Sequence, residues 1–233
     1  MQRRRLLYLL ALPLLAAGCM PPVGTAPVQQ APGPAVAAAY PPIGARWRVR
    51  VTEQGFARQT IADRDIAAVP VEFNGRRGYG LASATVTEVL DPAGFNTIGT
   101  IEGGRTAKVY TPEAGPFAWP LLAGKTWDTT YSHTDYGYGR SWPDARSHVS
   151  VVALEAVTVP AGTFQVYRIE YKGGIGTASS GGRRDPGSPG FETNDVYWYA
   201  PAAKLVVKSV VRRVGTHYAG SGWTTTELLT LPQ

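Results

Sequence analysis

Arg46-Trp47-Arg48-Val49-Arg50-Val51 alternates without a break, with Trp47, Val49 and Val51 on one face and three arginines on the other. Successive side chains of a strand point to opposite faces, so this stretch is a strand with one face buried and one in water. The pattern recurs at 79–90, 147–159, 164–171, 195–199, 205–214 and 224–231, all rich in Val, Thr, Tyr and Trp. Those residues fit a pleated, half-buried surface. Past the first 42 residues no segment holds a helical period with caps, though 59–68 has room for one short helix. The expected fold is all-β: an antiparallel meander forming a curved sheet, half-barrel or barrel, with at most one or two short helices.

Two turns between these stretches are legible from their chemistry. Val159-Pro160-Ala161-Gly162 and Asp91-Pro92-Ala93-Gly94 each put Pro at the second position and Gly where a left-handed conformation is needed. Asp91 is placed to bond back onto its turn. Phe164 and Phe95 follow closely, and each strand beyond ends in a glycine pair, Gly173-Gly174 and Gly103-Gly104. An internal duplication and shared hairpin chemistry both account for this echo.

Toward the N-terminus the strand pattern stops. Residues 20–42 are dominated by Pro, Ala, Gln and Gly, with no charge and no apolar period. Such a segment buries no core and is expected to be an extended tether, reaching roughly 60–70 Å in a polyproline conformation. Before it come Arg3, Arg4 and Arg5, then twelve apolar residues from Leu6 to Ala17. That run is shorter than the roughly 20 residues a spanning helix needs, and reads as a secretory signal.

Leu15-Ala16-Ala17-Gly18-Cys19 resembles the lipobox of bacterial lipoproteins, in which small residues precede a cysteine. Ala16 departs from that pattern, which usually has a larger aliphatic residue there; Leu15 stands one place further back. The resemblance covers the leader alone. It implies a diacylglyceryl group on Cys19, cleavage between Gly18 and Cys19, and a membrane anchor. Two or three acyl chains hold a protein durably where one does not. Met20, in place of the Asp common in lipoproteins retained at the inner membrane, implies the outer membrane, with the domain facing the periplasm.

The resulting division is 1–18 signal peptide, 19–42 tether, and 43–233 a single β-rich domain with a flexible loop near 173–193. A second, looser resemblance rests on Val159-Pro160-Ala161-Gly162-Thr163-Phe164, Arg168 and Trp198-Tyr199-Ala200-Pro201. These are similar to secreted bacterial β-proteins that share a glycine hairpin and a later Trp-Tyr-x-Pro strand end. It implies a β fold and no activity.

Composition narrows the function. Cys19 is the only cysteine, so a lipidated chain has neither disulfide nor thiolate chemistry. The formal charge of +6 falls to about +3 without the three leader arginines, and neither that value nor the compartment fits a nucleic-acid partner. Gly124-Lys125-Thr126 is not a phosphate loop, because Trp119 stands where the pattern needs Gly. No Gly-x-Ser-x-Gly elbow occurs. His133, His148 and His217 lie far apart in sequence with no pair at metal-ligand spacing, though strands could bring them together, His148 with His217 for instance. No catalytic residue, metal site or cofactor is expected.

The aromatics remain. Tyr131, Tyr136, Tyr138 and Trp142 gather in a glycine-rich segment with His133, Asp135 and Arg140; Tyr197, Trp198 and Tyr199 form a second group. Tyr136, Tyr138, Trp142 and Trp198 are the candidate ligand or partner contacts. The expected function is a non-enzymatic, membrane-tethered lipoprotein whose β-domain binds an envelope protein or cell-wall glycan. The rival is a carrier or sensor of a hydrophobic ligand in a curved-sheet cavity, and an unrecognised hydrolase is the remote third.

Overall fold

The computed structural model describes residues 33–55, 58–180, 183–184, 190–215 and 221–233. Cys19, Gly18, the leader and His217 lie outside the described residues. The strands are β1 (Arg46–Gln54), β2 (Gln59–Phe73), β3 (Arg76–Ala82), β4 (Val86–Leu90) and β5 (Thr97–Glu102). Next come β6 (Arg105–Ala114), β7 (Thr126–Asp135), β8 (Arg140–Val159) and β9 (Gly162–Ile175). β10 (Ser179–Ser180), β11 (Arg183–Arg184), β12 (Phe191–Ala200), β13 (Leu205–Gly215) and β14 (Gly222–Leu228) complete the chain. The room for a helix at 59–68 is filled by β2, whose residues pair with all of β1.

Strand order runs β8-β7-β6-β5-β4-β3-β2-β1-β14-β13-β12-β9, and β9 pairs back onto β8. The result is a closed antiparallel barrel of 12 strands, with β10 and β11 forming a small hairpin attached to β8. Closure removes the exposed edges that an open sheet would have to protect. On β1, Trp47, Val49 and Val51 are buried, while Arg50 pairs with Asp63 at 2.9 Å and Arg48 with Asp65 at 3.1 Å across to β2. Those strands therefore turn charge outward to water, not an apolar band to lipid.

An antiparallel ring sends alternate connections to opposite ends. The β4–β5, β6–β7, β8–β9 and β12–β13 connections share one end, and that end is plugged. Residues 33–42, expected to be tether, are part of the plug. Val36 bridges to Leu121, and the Tyr79 and Tyr199 hydroxyls donate to the carbonyls of Pro41 (2.7 Å) and Ala39 (2.6 Å). Tyr167 donates likewise to Pro34. Tyr40 stacks on Phe95 at 4.3 Å and meets Tyr79 edge-on at 5.7 Å. The segment lacks a periodic pattern because it does not form a strand; its carbonyls are consumed by tyrosines from strands far away in sequence.

The loop 115–125 supplies the rest of the plug. Asn96 clamps the backbone of Phe117, donating to its carbonyl at 2.9 Å and accepting from its N–H at 3.0 Å. Trp119 donates to Gly94 at 2.8 Å, and Lys125 donates to the carbonyls of Ala118 and Pro120. Gly124-Lys125-Thr126 thus holds a loop closed.

At the two ends of the segment 173–193, residues 173–175 and 191–193 belong to strands, while 181–182 and 185–189 lie outside the described residues. β9 continues through Ile175 and β12 begins at Phe191, which pairs with Ile175. Gly173 sits where β8 presses on β9, and a Cβ there would overlap the Arg146 carbonyl oxygen and stand 2.6 Å from Ser147 Cα. By contrast Gly103 and Gly104 form the β5–β6 turn, at φ of 55° and 76°. The two glycine pairs do different jobs. The two hairpins differ as well: Val159 pairs directly with Gly162, whereas Asp91 to Asn96 make a wider loop with Phe95 at φ 57°. Asp91 does bond back onto its turn, accepting from Ala93 and Gly94 at 3.0 and 2.7 Å.

Candidate functional site: the barrel lumen

Above the plug the barrel encloses a cavity of about 690 Å³ that opens toward the other end. Ligand pockets typically span roughly 300–1,000 Å³, so this space suits one small molecule. Its wall has two characters. The β13, β14 and β1 to β4 side is mainly apolar, with Trp47, Val49, Val51, Ile66, Leu81 and Val211. The facing side, β6 to β9 and β12, presents Tyr110, Tyr131, His133, Tyr171, Asp195 and Tyr197.

Alternation puts these groups inside. Tyr131, His133 and Asp135 are every second residue of β7, and Phe191, Thr193, Asp195 and Tyr197 every second residue of β12. The glycine-rich segment 131–142 is the β7–β8 hairpin, with its turn at the open end. His133 lies flat on Trp142 across that hairpin, ring centroids 4.4 Å apart. His133 Nδ1 and Trp142 Nε1 are both buried without a hydrogen-bond partner. A buried polar group left unmade costs about 1–3 kcal/mol.

The ionisable groups in the lumen are strongly affected by burial. Desolvation, with the positive charges of Lys108 and Arg213 beside it, lowers the His133 pKa to about 4, against a smaller upward pull from Asp135. Lys108 itself lies 3.5 Å from Asp135. Asp195 is pushed upward by burial, although it accepts from Thr193 Oγ1 (2.6 Å), the Arg212 N–H (3.1 Å) and the Tyr197 hydroxyl (3.3 Å). Glu88 is also raised by burial, with Thr97 Oγ1 donating to its Oε1 at 2.5 Å. Desolvation lifts Tyr110 to about 12 and raises Tyr131, Tyr171 and Tyr197 too. These phenols are neutral donors and acceptors throughout the physiological range.

Of the four aromatics singled out in the sequence, Tyr138 and Trp142 line the cavity. Tyr136 is largely exposed and does not. Trp198 lies away from it: its indole donates to Glu155 at 2.8 Å, and Lys208 sits 5.8 Å over its ring. Trp198 therefore belongs to a polar network that includes Arg168 and Glu170. His148 pairs with Asp128 at 2.8 Å and takes no part in the lumen. Among the described residues no three His, Cys, Asp or Glu side chains converge to hold a metal. Glu88, Tyr110, Tyr171 and Asp195 were not singled out, since only ring closure brings their strands together.

The fold and site thus define an antiparallel barrel, plugged at one end, with an amphipathic lumen. No protein-family model matches the chain, and no curated protein matches it. Solved structures similar in shape include a candidate lipoprotein of Parabacteroides distasonis. It has 12% identity and TM-score 0.46, over 85% of this chain and 100% of that one. A candidate exported protein with a YmcC-like fold from Bacteroides fragilis has 14% identity and TM-score 0.42, over 84% and 99%. The hypothetical lipoprotein YmcC of Escherichia coli has 12% and 0.42, over 84% and 90%. These likenesses are too distant to carry a role across.

Proposed function

We propose that this chain is an exported lipoprotein, anchored in the bacterial envelope through Cys19, whose barrel lumen holds one small amphipathic molecule. The observation that carries the ligand reading is the cavity of about 690 Å³ with an apolar wall facing a tyrosine-rich, charged one. A purely hydrophobic ligand leaves the polar wall unpaired, and a purely polar one wastes the apolar wall. The anchor rests on the leader and its lipobox-like Cys19, and outer-membrane residence on Met20. A binding role for this molecule replaces the envelope-protein or glycan partner as the favoured reading, because the candidate aromatics divide between the lumen and remote surface.

Native mass spectrometry of the whole chain, released gently from membranes, tests both parts. The expected spectrum carries the lipid mass on Cys19 and one additional small mass. Ser209→Trp, which fills the lumen from β13, is expected to lose the small mass and keep the lipid. A bound mass that survives this substitution places the ligand elsewhere and sinks the lumen reading.

A further inference from the structure

Glu88 is the feature of the lumen that the barrel itself does not explain. It lies on β4 between Val86 and Leu90, in the mainly apolar wall, which also carries Arg64 on β2 and Arg213 on β13. One oxygen is held by Thr97, and no cation of the described residues forms an ion pair with it. Its other oxygen accepts no hydrogen bond and is not sealed off, so it faces space that a ligand can enter. Other lumen charges are accommodated differently: Asp135 has Lys108, Asp195 has three donors, Arg64 pairs with Glu53 at 3.1 Å, and Arg213 lies 5.4 Å over the Phe191 ring. Tyr40, Tyr110 and Tyr197 all lie close enough to feel the Glu88 charge.

A carboxylate with no ion-pair partner, with tyrosines within reach of its charge, is an arrangement that can recognise an organic cation. The carboxylate supplies charge and a hydrogen-bond acceptor, and ring faces attract the same positive group. Burying the carboxylate alone is costly, and a cation brought in from outside relieves that cost. We propose that the lumen ligand is a cationic amphiphile, its ammonium group against Glu88 and its apolar body along Trp47, Val49, Val51 and Leu81. This rests on the lumen being a ligand site, and it names the chemical class that site takes.

The test uses two probes of equal length, octylammonium and octan-1-ol, titrated calorimetrically into the whole chain in lipid nanodiscs, with empty nanodiscs subtracted. The expected result is at least tenfold tighter binding of octylammonium, a preference falling below about twofold in Glu88→Gln. Glu88→Leu, which keeps the bulk without the polar group, is expected to lose the preference in the same way. Equal affinity for both probes, or a preference that survives both substitutions, overturns the cationic assignment while leaving the lumen site standing. Failure of both probes to bind overturns the lumen reading itself.

Discussion

His133 rests on Trp142 with ring planes 11° apart and centroids 4.4 Å apart, yet neither His133 Nδ1 nor Trp142 Nε1 has a hydrogen-bond partner. The stack joins β7 to β8 near the open end, beside Lys108, Asp135 and Arg213. The contact is thus good for packing and poor for the polar atoms within it. That separation can be measured. Trp142→Phe keeps a ring on His133 and deletes the orphaned N–H, so stability is expected to hold or rise by up to about 1 kcal/mol. Trp142→Ala removes the ring, and a loss of about 2–3 kcal/mol is expected for a half-buried site. Urea unfolding of both variants separates the two contributions; equal losses in both would show that the indole N–H is in fact satisfied.

The same histidine sets a dependence on acid. Its folded pKa, about 4, lies below the usual 6.5, so the folded state takes up its proton later than the unfolded state does. The stabilising contribution is therefore complete above about pH 6.5 and is lost as pH falls toward 4. Lys108 and Arg213 work with burial in this direction, and Asp135 opposes them. His133→Phe should leave stability at pH 7.5 little changed and flatten the decline between 6.5 and 4. A decline of unchanged slope in thermal melts across that range would move its source elsewhere.

The N-terminal plug gives a prediction about where the domain begins. Tyr40 packs against Phe95, Tyr79, Phe117 and Tyr199, and the backbone around it satisfies three tyrosine hydroxyls. Tyr40→Ala is expected to cost about 3–5 kcal/mol, as for other large aromatic truncations in a core. A chain starting at Ile43 should lose at least as much, because Tyr79, Tyr167 and Tyr199 lose their acceptors together. Guanidinium titrations of the two, beside a chain starting at Gly33, decide it: equal midpoints for all three would return 33–42 to the tether.

How far the sequence reaches can be judged from these elements. Trp47, Val49 and Val51 announced β1 because one face is dry and the other carries charge, and a period of two records that contrast directly. β7 was obscured because its inward face is Tyr131, His133 and Asp135: a lumen lined with polar groups removes the apolar half of the alternation. Residues 33–42 were missed for a different reason, since their part in the core is made by backbone carbonyls and one ring. Closure itself, β8 on β9 with β1 on β14, is a long-range fact that no local pattern encodes.

The two glycine pairs show what an echo in sequence conceals. Gly103 has left-handed φ and open space around its Cα, so Gly103→Ala meets only backbone strain, about 1 kcal/mol. Gly173 has ordinary φ but no room, and Gly173→Ala must force β8 and β9 apart, at a cost of about 2–3 kcal/mol or more. If both substitutions cost the same in urea unfolding, the glycines share one role and the case for a duplicated unit revives.

Glu88 contributes a pH dependence of opposite sign to that of His133. Burial raises its folded pKa above the unfolded value near 4.5, so the folded state holds this proton more tightly. Stability from this group therefore rises as pH falls through the folded pKa, and is fully present below about 4.5. At neutral pH the ionised carboxylate is a burden on the empty barrel, which Thr97 only partly relieves. Glu88→Gln should accordingly stabilise the ligand-free protein at pH 7.5, and the gain should shrink to nothing as the pH approaches 4.5. The decisive comparison is the difference in melting temperature between Glu88→Gln and the unsubstituted chain at several pH values. A difference that stays constant with pH means the carboxylate titrates alike in both states, and then Glu88 carries no desolvated charge for a ligand to neutralise.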